Sequence, residues 1–488
     1  RALHEVLARE RGHALGAVIL FTDGIRNAGP DPREAIAELR SAGVTLHVIG
    51  LGTTNPGDVQ VVSVTAPEAA FARDEIRVTA RLRGRGLEGQ STTVNLALNG
   101  TRQGEVQVTF GPDGEAEAQF PLVPEEPGDF ELLVDAPPRP DEILPENNRD
   151  TRRLRVLDDR IRVLFLEQSP RWEFRYLQAL LLRDRRIDLK CVLFDGDPAI
   201  ARTPDSPYLE TFPSRREDLF SYDVLIFGDV DPRNFTSAQL DSIAEFVSRS
   251  GGSFLMIAGR RFSPWAYRDT AIAGMLPVDF DRRTPEPASA SLHERPLRLQ
   301  LTPAGSTSPL LRLADDPTEN RRRWENLPPI FWTAPVSRPK PAAEVLLVHL
   351  PEGTDPAPVP VIALEQYGVG RTLFVGSDNT WRWRRHEGEE FYTSLWARLI
   401  QRLAIHHLVS GSRRTQIAVS QLSATPGERV GVTARLYTSS FEPLTEPTVV
   451  ARLEREAPNA QPAASTDILL RAVPDQPGSY QGELVAPG

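Results

Sequence analysis

Two arginines and an aspartate follow predicted strands in the middle of the chain, where side chains often bind ligands. Arg260 and Arg261 follow the apolar run 253–258 after a single glycine, and Asp378 comes after the strand pattern 371–375. In α/β proteins, ligands bind beyond the carboxyl ends of parallel strands. These side chains are therefore a candidate ligand or partner surface, with salt bridges to a neighbouring helix as the alternative role of the two arginines.

The run Trp381-Arg382-Trp383 has the most unusual local composition of the chain. Arginine side chains that stack on tryptophan rings form a cation–π surface suited to an anionic ligand or a protein partner. The alternative is that both tryptophans pack in the core while the arginines face solvent. Both interpretations stay open at the level of sequence.

The remaining reactive side chains have structural interpretations. Cys191, the single cysteine, lies within an apolar strand pattern and is expected to be a buried thiol. His406 and His407 fit the favourable end of a helix dipole, and the eight histidines show no metal-ligand spacing. The run 321–324 (RRRW) is expected in a solvated loop.

Composition narrows the class of protein. The net charge of −10 argues against nucleic-acid binding, which requires a basic face. The 43 prolines and 34 glycines favour short strands and turns over long helical bundles. Apolar runs long enough to span a membrane are missing from the sequence, and both ends resemble cut elements, so we expect a fragment of a larger protein.

Hydrophobic patterning predicts a multi-domain chain of α/β and all-β parts. In 1–57, a strand at 15–22, a helix from Pro32 and a strand at 44–50 make a parallel unit, with the first strand covered on both faces. In 58–157 the apolar period is two, and the Asn99-Gly100 pair predicts a hairpin, so this part is a β-sandwich. The residues 78–82 (VTARL) recur as 432–436, and 123–130 resemble 473–480, which predicts a second, truncated sandwich at 413–488.

Between the two sandwiches, 158–412 reads as a second α/β domain. Thr236 or Ser237 is expected to cap a helix that ends at Gly251-Gly252, and 281–340 is expected to be an irregular, proline-rich excursion. The predicted strands are 161–166, 189–194, 222–228, 253–258, 345–350, 360–365 and 371–375, with a final helix at 389–407.

The runs 17–24 (AVILFTDG) and 47–52 (HVIGLG) closely resemble the C-terminal half of a von Willebrand factor A (VWA) domain, a Rossmann-like fold. In that family a divalent cation is held by a D-x-S-x-S loop, a later threonine and the aspartate of the T-D-G turn. The resemblance implies that Asp23 is a ligand of Mg²⁺ or another divalent cation, with the other ligands upstream of Arg1, so this fragment alone is not expected to hold the ion. The alternative is a plain Asp-Gly turn.

The runs 251–259 (GGSFLMIAG) and 370–378 (GRTLFVGSD), with the tryptophans at 381 and 383, resemble class I glutamine amidotransferase-like domains of flavodoxin-like fold. Such domains accompany VWA and immunoglobulin-like modules in some bacterial membrane proteins. The enzymes of that family need a cysteine at a strand-to-helix elbow and a His-x-Glu pair. Here the elbow reads Ala258-Gly259-Arg260-Arg261, and no histidine follows Asp378 directly, so amidotransferase activity is not expected.

The resemblance implies a non-enzymatic interaction and scaffold protein of the bacterial cell envelope. The VWA domain would engage a protein partner through its metal, and the membrane anchor would lie in segments outside this chain. One rival is a hydrolase or transferase that uses Asp378 with His386 or Glu387. Another is a cytoplasmic assembly factor of the VWA type.

Overall fold

The chain is a mixed α/β protein with many sheets and few helices, and it divides into two compact units, Arg1–Val156 and Leu157–Gly488. The computed structural model describes residues 5–6, 9, 15–22, 32–51, 57–139, 142, 144–280, 295–314, 316–351, 357–385, 389–409, 414–421, 424–438, 440–454 and 465–486.

The first unit begins with the predicted strand, helix and strand. Strand β1 (Ala17–Thr22) pairs in parallel with β2 (Thr45–Gly50), and helix α1 (Pro32–Ser41) connects them. The prediction that β1 is covered on both faces is wrong. Its side chains alternate in exposure, and Ile19 and Phe21 are 58% and 59% exposed. In α1, Ala35 and Leu39 are buried.

The rest of the first unit consists of two antiparallel sheets that share one hydrophobic core. One sheet has the order β3-β5-β8 and the other β4-β10-β9-β6-β7. The predicted hairpin joins β6 to β7, and Asn99 and Gly100 have φ of 44° and 78°, as a two-residue turn with a right-handed strand twist requires. The elements are β3 (Asp58–Thr65), β4 (Ala69–Phe71), β5 (Ile76–Arg85), β6 (Ser91–Leu98), β7 (Thr101–Thr109), β8 (Glu115–Leu122), β9 (Gly128–Asp135), a 3-10 helix (Pro145–Asn148) and β10 (Arg149–Leu157).

The second unit is built on an eight-stranded sheet of order β12-β11-β13-β14-β20-β19-β18-β16. The first five strands in this order are parallel, and the last three are antiparallel. The strands are β11 (Ile161–Glu167), β12 (Ile187–Leu193), β13 (Val224–Phe227), β14 (Ser253–Ile257), β16 (Leu299–Leu301), β18 (Glu344–His349), β19 (Val359–Tyr367) and β20 (Gly370–Val375), and β15 (Val278–Asp279) pairs separately with β17 (Arg338–Pro339).

Helices pack on both faces of this sheet because its parallel strands are apolar on both sides. Phe165 of β11 contacts Phe174 on one face, whereas Leu164 shares a core with Ile243 and Phe246 on the other. The helices are α2 (Trp172–Arg183), α3 (Arg216–Leu219), α4 (Ser237–Ser248), α5 (Ala271–Met275), α6 (Pro303–Thr307), α7 (Pro317–Glu325) and α8 (Glu389–Val409), with 3-10 turns at Pro198–Arg202, Pro232–Asn234, Trp265–Tyr267, Pro309–Leu311 and Thr380–Arg385.

Helix α4 has the predicted signals at both ends. Thr236 caps it, and Gln239 completes the capping box. Gly251 has φ of 83°, and the next residue, Gly252, lies so close to the Phe246 ring that a Cβ there would be 2.0 Å from it. The glycine pair therefore ends the helix and allows β14 to start directly beneath it.

The segment predicted to be an irregular excursion is more regular than expected. Residues 281–294 lie outside the described residues, but from 295 onward the chain forms β16, which pairs with β18, and helices α6 and α7. The run 321–324 lies on α7 and not in a loop, and Trp324 is buried. A helical signal was present, since Asp316 caps α7 and Pro317 opens it.

The chain ends in a five-stranded antiparallel sheet of order β21-β22-β25-β24-β23. Its strands are β21 (Thr415–Val419), β22 (Arg429–Leu436), β23 (Thr448–Glu454), β24 (Ser465–Ala472) and β25 (Ser479–Val485). The repeated residues 78–82 and 432–436 lie in β5 and β22, but β5 pairs with β3 and β8, whereas β22 pairs with β21 and β25. The sheet docks on the α/β part through Phe441, whose ring lies 5.8 Å from that of Phe220.

Candidate functional site

Four neighbouring parallel strands end at one edge of the large sheet, and polar residues follow each of them. Glu167 is the last residue of β11, and Asp229 follows β13 by two positions. Arg260 follows β14, and Asp378 follows β20. We call this the carboxyl edge.

Arg171 links three of these strands. Its Nε donates to Glu167 Oε2 at 3.0 Å, and its Nη1 donates to the carbonyl of Ala258 at 2.8 Å and lies 3.5 Å from Asp378 Oδ2. Burial raises the pKa of Glu167, partly offset by the attraction of Arg171 and the backbone N–H of Asp229. Burial lowers the pKa of Arg171, but the negative charge of Glu167, Asp378 and Asp229 outweighs this and raises it above the usual value. The arginine thus clamps the ends of β11, β14 and β20 together.

Asp229 holds the turn after β14. Its carboxylate accepts the backbone N–H groups of Arg261 at 2.9 Å, Phe262 at 2.7 Å and Ser263 at 3.0 Å. Gly259 passes so near that a Cβ would lie 2.1 Å from the Asp229 carboxyl carbon. This carboxylate therefore shapes the loop that presents the arginines.

The hydroxyl and carboxylate groups at the edge form hydrogen bonds to other groups of the protein. Ser263 Oγ donates to the Gly228 carbonyl at 2.8 Å, and Ser377 Oγ donates to the Trp332 carbonyl at 2.7 Å. Asp378 Oδ1 accepts from Asn379 Nδ2 at 2.8 Å. His386 and Glu387, the predicted partners of Asp378 in a catalytic site, lie outside the described residues.

The two predicted arginines at the elbow stack on aromatic rings. The guanidinium carbon of Arg260 lies 5.4 Å from the Trp332 ring centroid, and that of Arg261 lies 4.9 Å from the Phe262 ring. Arg261 is exposed, with Nη1 3.7 Å from the Asp195 carboxylate. Both arginines lie at the carboxyl edge, as the strand order predicts.

The structure separates the two tryptophans of the 381–383 run. Trp383 is fully buried, and its Nε1 donates to the Pro328 carbonyl at 3.1 Å. Trp381 is half-buried on the surface, and the Arg382 guanidinium carbon lies 4.9 Å from its ring and 4.7 Å from that of Phe331. Arg260, Arg261 and Asp378 thus follow strands that end at the carboxyl edge, and Trp381 and Arg382 come shortly after Asp378 in the chain, whereas Trp383 belongs to the core.

A buried carboxylate, Glu173, was missed in the sequence. It accepts hydrogen bonds from Thr380 Oγ1 at 2.6 Å, Tyr392 Oη at 2.8 Å and the Trp381 N–H at 3.1 Å. Burial raises its pKa to about 7, despite these hydrogen bonds. The available signal was its position at helical spacing from Leu177, on the apolar face of α2.

Two other predicted residues have structural roles. Cys191 is buried, and burial raises its pKa to about 12, so the prediction of a buried thiol is confirmed. His407 lies in the last turn of α8, as predicted, and it is buried, with Nδ1 3.0 Å from Asp223 Oδ1. The side chain of His406 and all of Asp23 lie outside the described residues.

Within the described ranges, there is no cluster of three or more histidine, cysteine or acidic side chains arranged to hold a metal ion. Among the helices of the same described part, none combines the length and the apolar character needed to cross a bilayer.

A family model for the von Willebrand factor type A domain matches residues 1–80. The chain therefore contains a VWA-type segment. The match runs past residue 57, where the sequence pattern changes to strands of period two. No curated protein matches the chain.

Solved structures show only a weak likeness. The CARDB domain of a Pyrococcus furiosus protein is 21% identical, covering 22% of this chain and 99% of that one, with a TM-score of 0.20. A β-glucosidase from Erythrobacter marinus is 18% identical over 21% of this chain and 16% of its own, with a TM-score of 0.17. Red sea bream transglutaminase is 15% identical over 23% and 17%, with a TM-score of 0.16. TM-scores this low support no inference about fold or function.

Proposed function

We propose that this chain is a non-enzymatic interaction and scaffold protein of the bacterial cell envelope, and that its α/β part binds a protein partner at the carboxyl edge. The main support is that the carboxylates at this edge form hydrogen bonds and ion pairs within the protein. Glu167, Asp229 and Asp378 hold strand ends and loops in place, while Arg260 and Arg261 stack on aromatic rings at its rim. Arginine and aromatic side chains are enriched in protein interfaces.

The α/β part is proposed to be a degenerate relative of class I glutamine amidotransferases. A nucleophile elbow needs a strained turn that exposes a cysteine or serine. Here Arg260 occupies the turn after β14. The structure describes every residue from 257 to 263, and none of them has the positive φ of a left-handed backbone. The nearby hydroxyl of Ser263 is buried and donates to a carbonyl. These features favour binding over turnover.

The VWA-type segment is proposed to engage its partner through Mg²⁺ or another divalent cation, with Asp23 as one ligand. The match to residues 1–80 supports this part of the proposal. The two β parts, proposed to be immunoglobulin-like, would act as spacers between the binding modules.

Site-specific photo-crosslinking tests the binding surface directly. Arg261 is replaced by benzoylphenylalanine in the full chain, and the exposed Arg322 on α7 receives the same replacement as a control. A protein captured from the source cells through position 261 but not through position 322 supports the proposal. Equal capture at both positions, or none at position 261, contradicts it.

Turnover of substrate tests the rival enzymatic function. The full chain is incubated with amide and ester substrates, alongside Asp378→Ala. Hydrolysis or transfer that the wild type performs and Asp378→Ala loses would replace the binding role with a catalytic one.

A further inference from the structure

Three aromatic side chains form a compact triangular cluster next to the carboxyl edge. The ring centroids of Trp172 and Tyr176 are 5.8 Å apart, those of Tyr176 and Trp381 5.9 Å, and those of Trp172 and Trp381 6.0 Å. Of the seven tryptophans, all within the described ranges, Trp172 is the exposed one, at 56%. Tyr176 and Trp381 are half-buried beside it, so the three rings form one aromatic patch at the surface, a feature that can mark an interaction site.

An arginine lies over each ring of this cluster. The guanidinium carbon of Arg175 is 5.5 Å from the Trp172 centroid, that of Arg382 is 4.9 Å from Trp381, and that of Arg384 is 4.0 Å from Tyr176. We call these six residues the aromatic–arginine strip. A guanidinium that stacks flat on a ring keeps its N–H groups in the plane, where a carboxylate can accept two of them.

The Glu173 carboxylate fixes the two segments that carry the strip. It follows Trp172 on α2 and accepts the backbone N–H of Trp381 at 3.1 Å. Thr380, in the same 3-10 turn as Trp381, donates to it at 2.6 Å. The rings are therefore held in place before any partner binds, which lowers the conformational entropy lost on binding.

The charge of the strip is opposite to that of the whole chain. The chain carries a net charge of −10, whereas the strip contributes three arginines, one of which, Arg384, also pairs with Glu389 at 3.1 Å. Complementary charge at such a patch increases the association rate and selects an acidic partner. A nucleic acid would also match arginines and stacked rings, but its long anionic backbone would be repelled by the rest of this acidic chain.

We infer that the aromatic–arginine strip is the docking site for an acidic segment of a partner protein, whose carboxylates pair with Arg175 and Arg382, while Arg384 stays paired with Glu389 under the Tyr176 ring. Tryptophan, tyrosine and arginine are the residue types that dominate binding energy in protein interfaces. This inference rests on the proposed binding function and specifies its partner by chemical class.

Fluorescence anisotropy with the full chain tests the inference. The probe is a fluorescein-labelled peptide of repeated Glu-Glu-Tyr, and a Lys-Lys-Tyr peptide of equal length controls for aromatic content. We expect saturable binding of the acidic peptide only, weakened by salt. Trp172→Ala should raise its Kd roughly 30-fold, the change typical of a hot-spot residue. Arg322→Ala, outside the strip, should leave the Kd unchanged.

Further variants separate the strip from unrelated effects. Trp172→Phe should restore most of the affinity because it keeps an aromatic face, and equal urea midpoints of all variants exclude unfolding. Acidic-peptide binding that Trp172→Ala leaves intact overturns the inference. So does a labelled single-stranded oligonucleotide that binds the strip more tightly than the peptide, or binding of neither probe. If the peptide fails while crosslinking through position 261 still captures a partner, the strip assignment alone falls and the binding function stands.

Discussion

The replacement Glu173→Gln tests the buried carboxylate under the strip. Glu173 is fully buried, and its pKa rises from an ordinary 4.5 to about 7 because burial penalises the charged form. Between these two values the folded protein binds a proton that the unfolded chain has released. The contribution of Glu173 to the free energy of unfolding is therefore fully present below pH 4.5 and is lost as the pH rises through about 7. A pKa shift of this size changes the free energy of unfolding by about 3 kcal/mol between acid and alkaline pH.

Glutamine has the shape of the protonated side chain and cannot ionise. Wild type and Glu173→Gln should therefore have similar free energies of unfolding at about pH 5, and the variant should be more stable by about 3 kcal/mol at about pH 8. Urea unfolding followed by tryptophan fluorescence measures this difference. All seven tryptophans lie in the second unit, so the signal reports on that unit alone.

The exposed Glu390 on α8 provides the matched control, since Glu390→Gln should change the free energy of unfolding by less than about 1 kcal/mol throughout the same pH range. If the curves of wild type and Glu173→Gln stay parallel from acid to neutral pH, Glu173 is not a buried acid of raised pKa. A variant that is less stable at every pH would show that the hydrogen bonds to the carboxylate outweigh the cost of its burial.

Three further substitutions test the packing of the second unit by the same urea assay. Asp223→Ala removes the carboxylate that lies 3.0 Å from the buried His407 Nδ1, so it should cost roughly 1–3 kcal/mol, and a loss below about 0.5 kcal/mol would show that the pair is dispensable. Gly252→Ala places a Cβ 2.0 Å from the Phe246 ring and should cost at least about 1–3 kcal/mol. Gly274→Ala is the control and should be nearly neutral, because a Cβ there meets only the Tyr367 hydroxyl at 4.0 Å. Equal effects of the two substitutions would contradict the packing. Phe441→Ala removes a buried ring from the contact with Phe220, so it should cost roughly 3–5 kcal/mol and speed proteolysis of the C-terminal sheet, and an unchanged digestion pattern would count against this docking contact.

Local sequence signals predicted many of the elements correctly. The apolar runs at 161–166 and 253–258 became parallel strands, because strands buried on both faces must be apolar throughout. The Asn99-Gly100 turn and the capping residue Thr236 lie where their backbone preferences place them. These features depend on neighbouring residues only, and this is why one sequence is sufficient to find them.

The pairing of strands was not readable from the same patterns. The five residues shared by β5 and β22 form strands that each pair with an earlier strand of the chain, but their second partners differ: β8 lies before the repeat at 123–130, whereas β25 begins within the repeat at 473–480. Alternation of apolar and polar residues specifies which face of a strand is buried, but not which strand lies beside it. Exposure of β1 was also mispredicted, since burial depends on what covers the strand.

The candidate site shows the same division. The sequence by itself determined that arginines and an aspartate follow parallel strands, and strand order then placed Arg260, Arg261 and Asp378 at one edge. Only the tertiary structure decided which of the two tryptophans is buried. In a 3-10 turn with three residues per turn, positions two apart point in different directions, so Trp383 enters the core while Trp381 stays at the surface. The role of Glu173 likewise required the fold, because its hydrogen-bond donors Thr380 and Tyr392 lie more than 200 positions away in the chain.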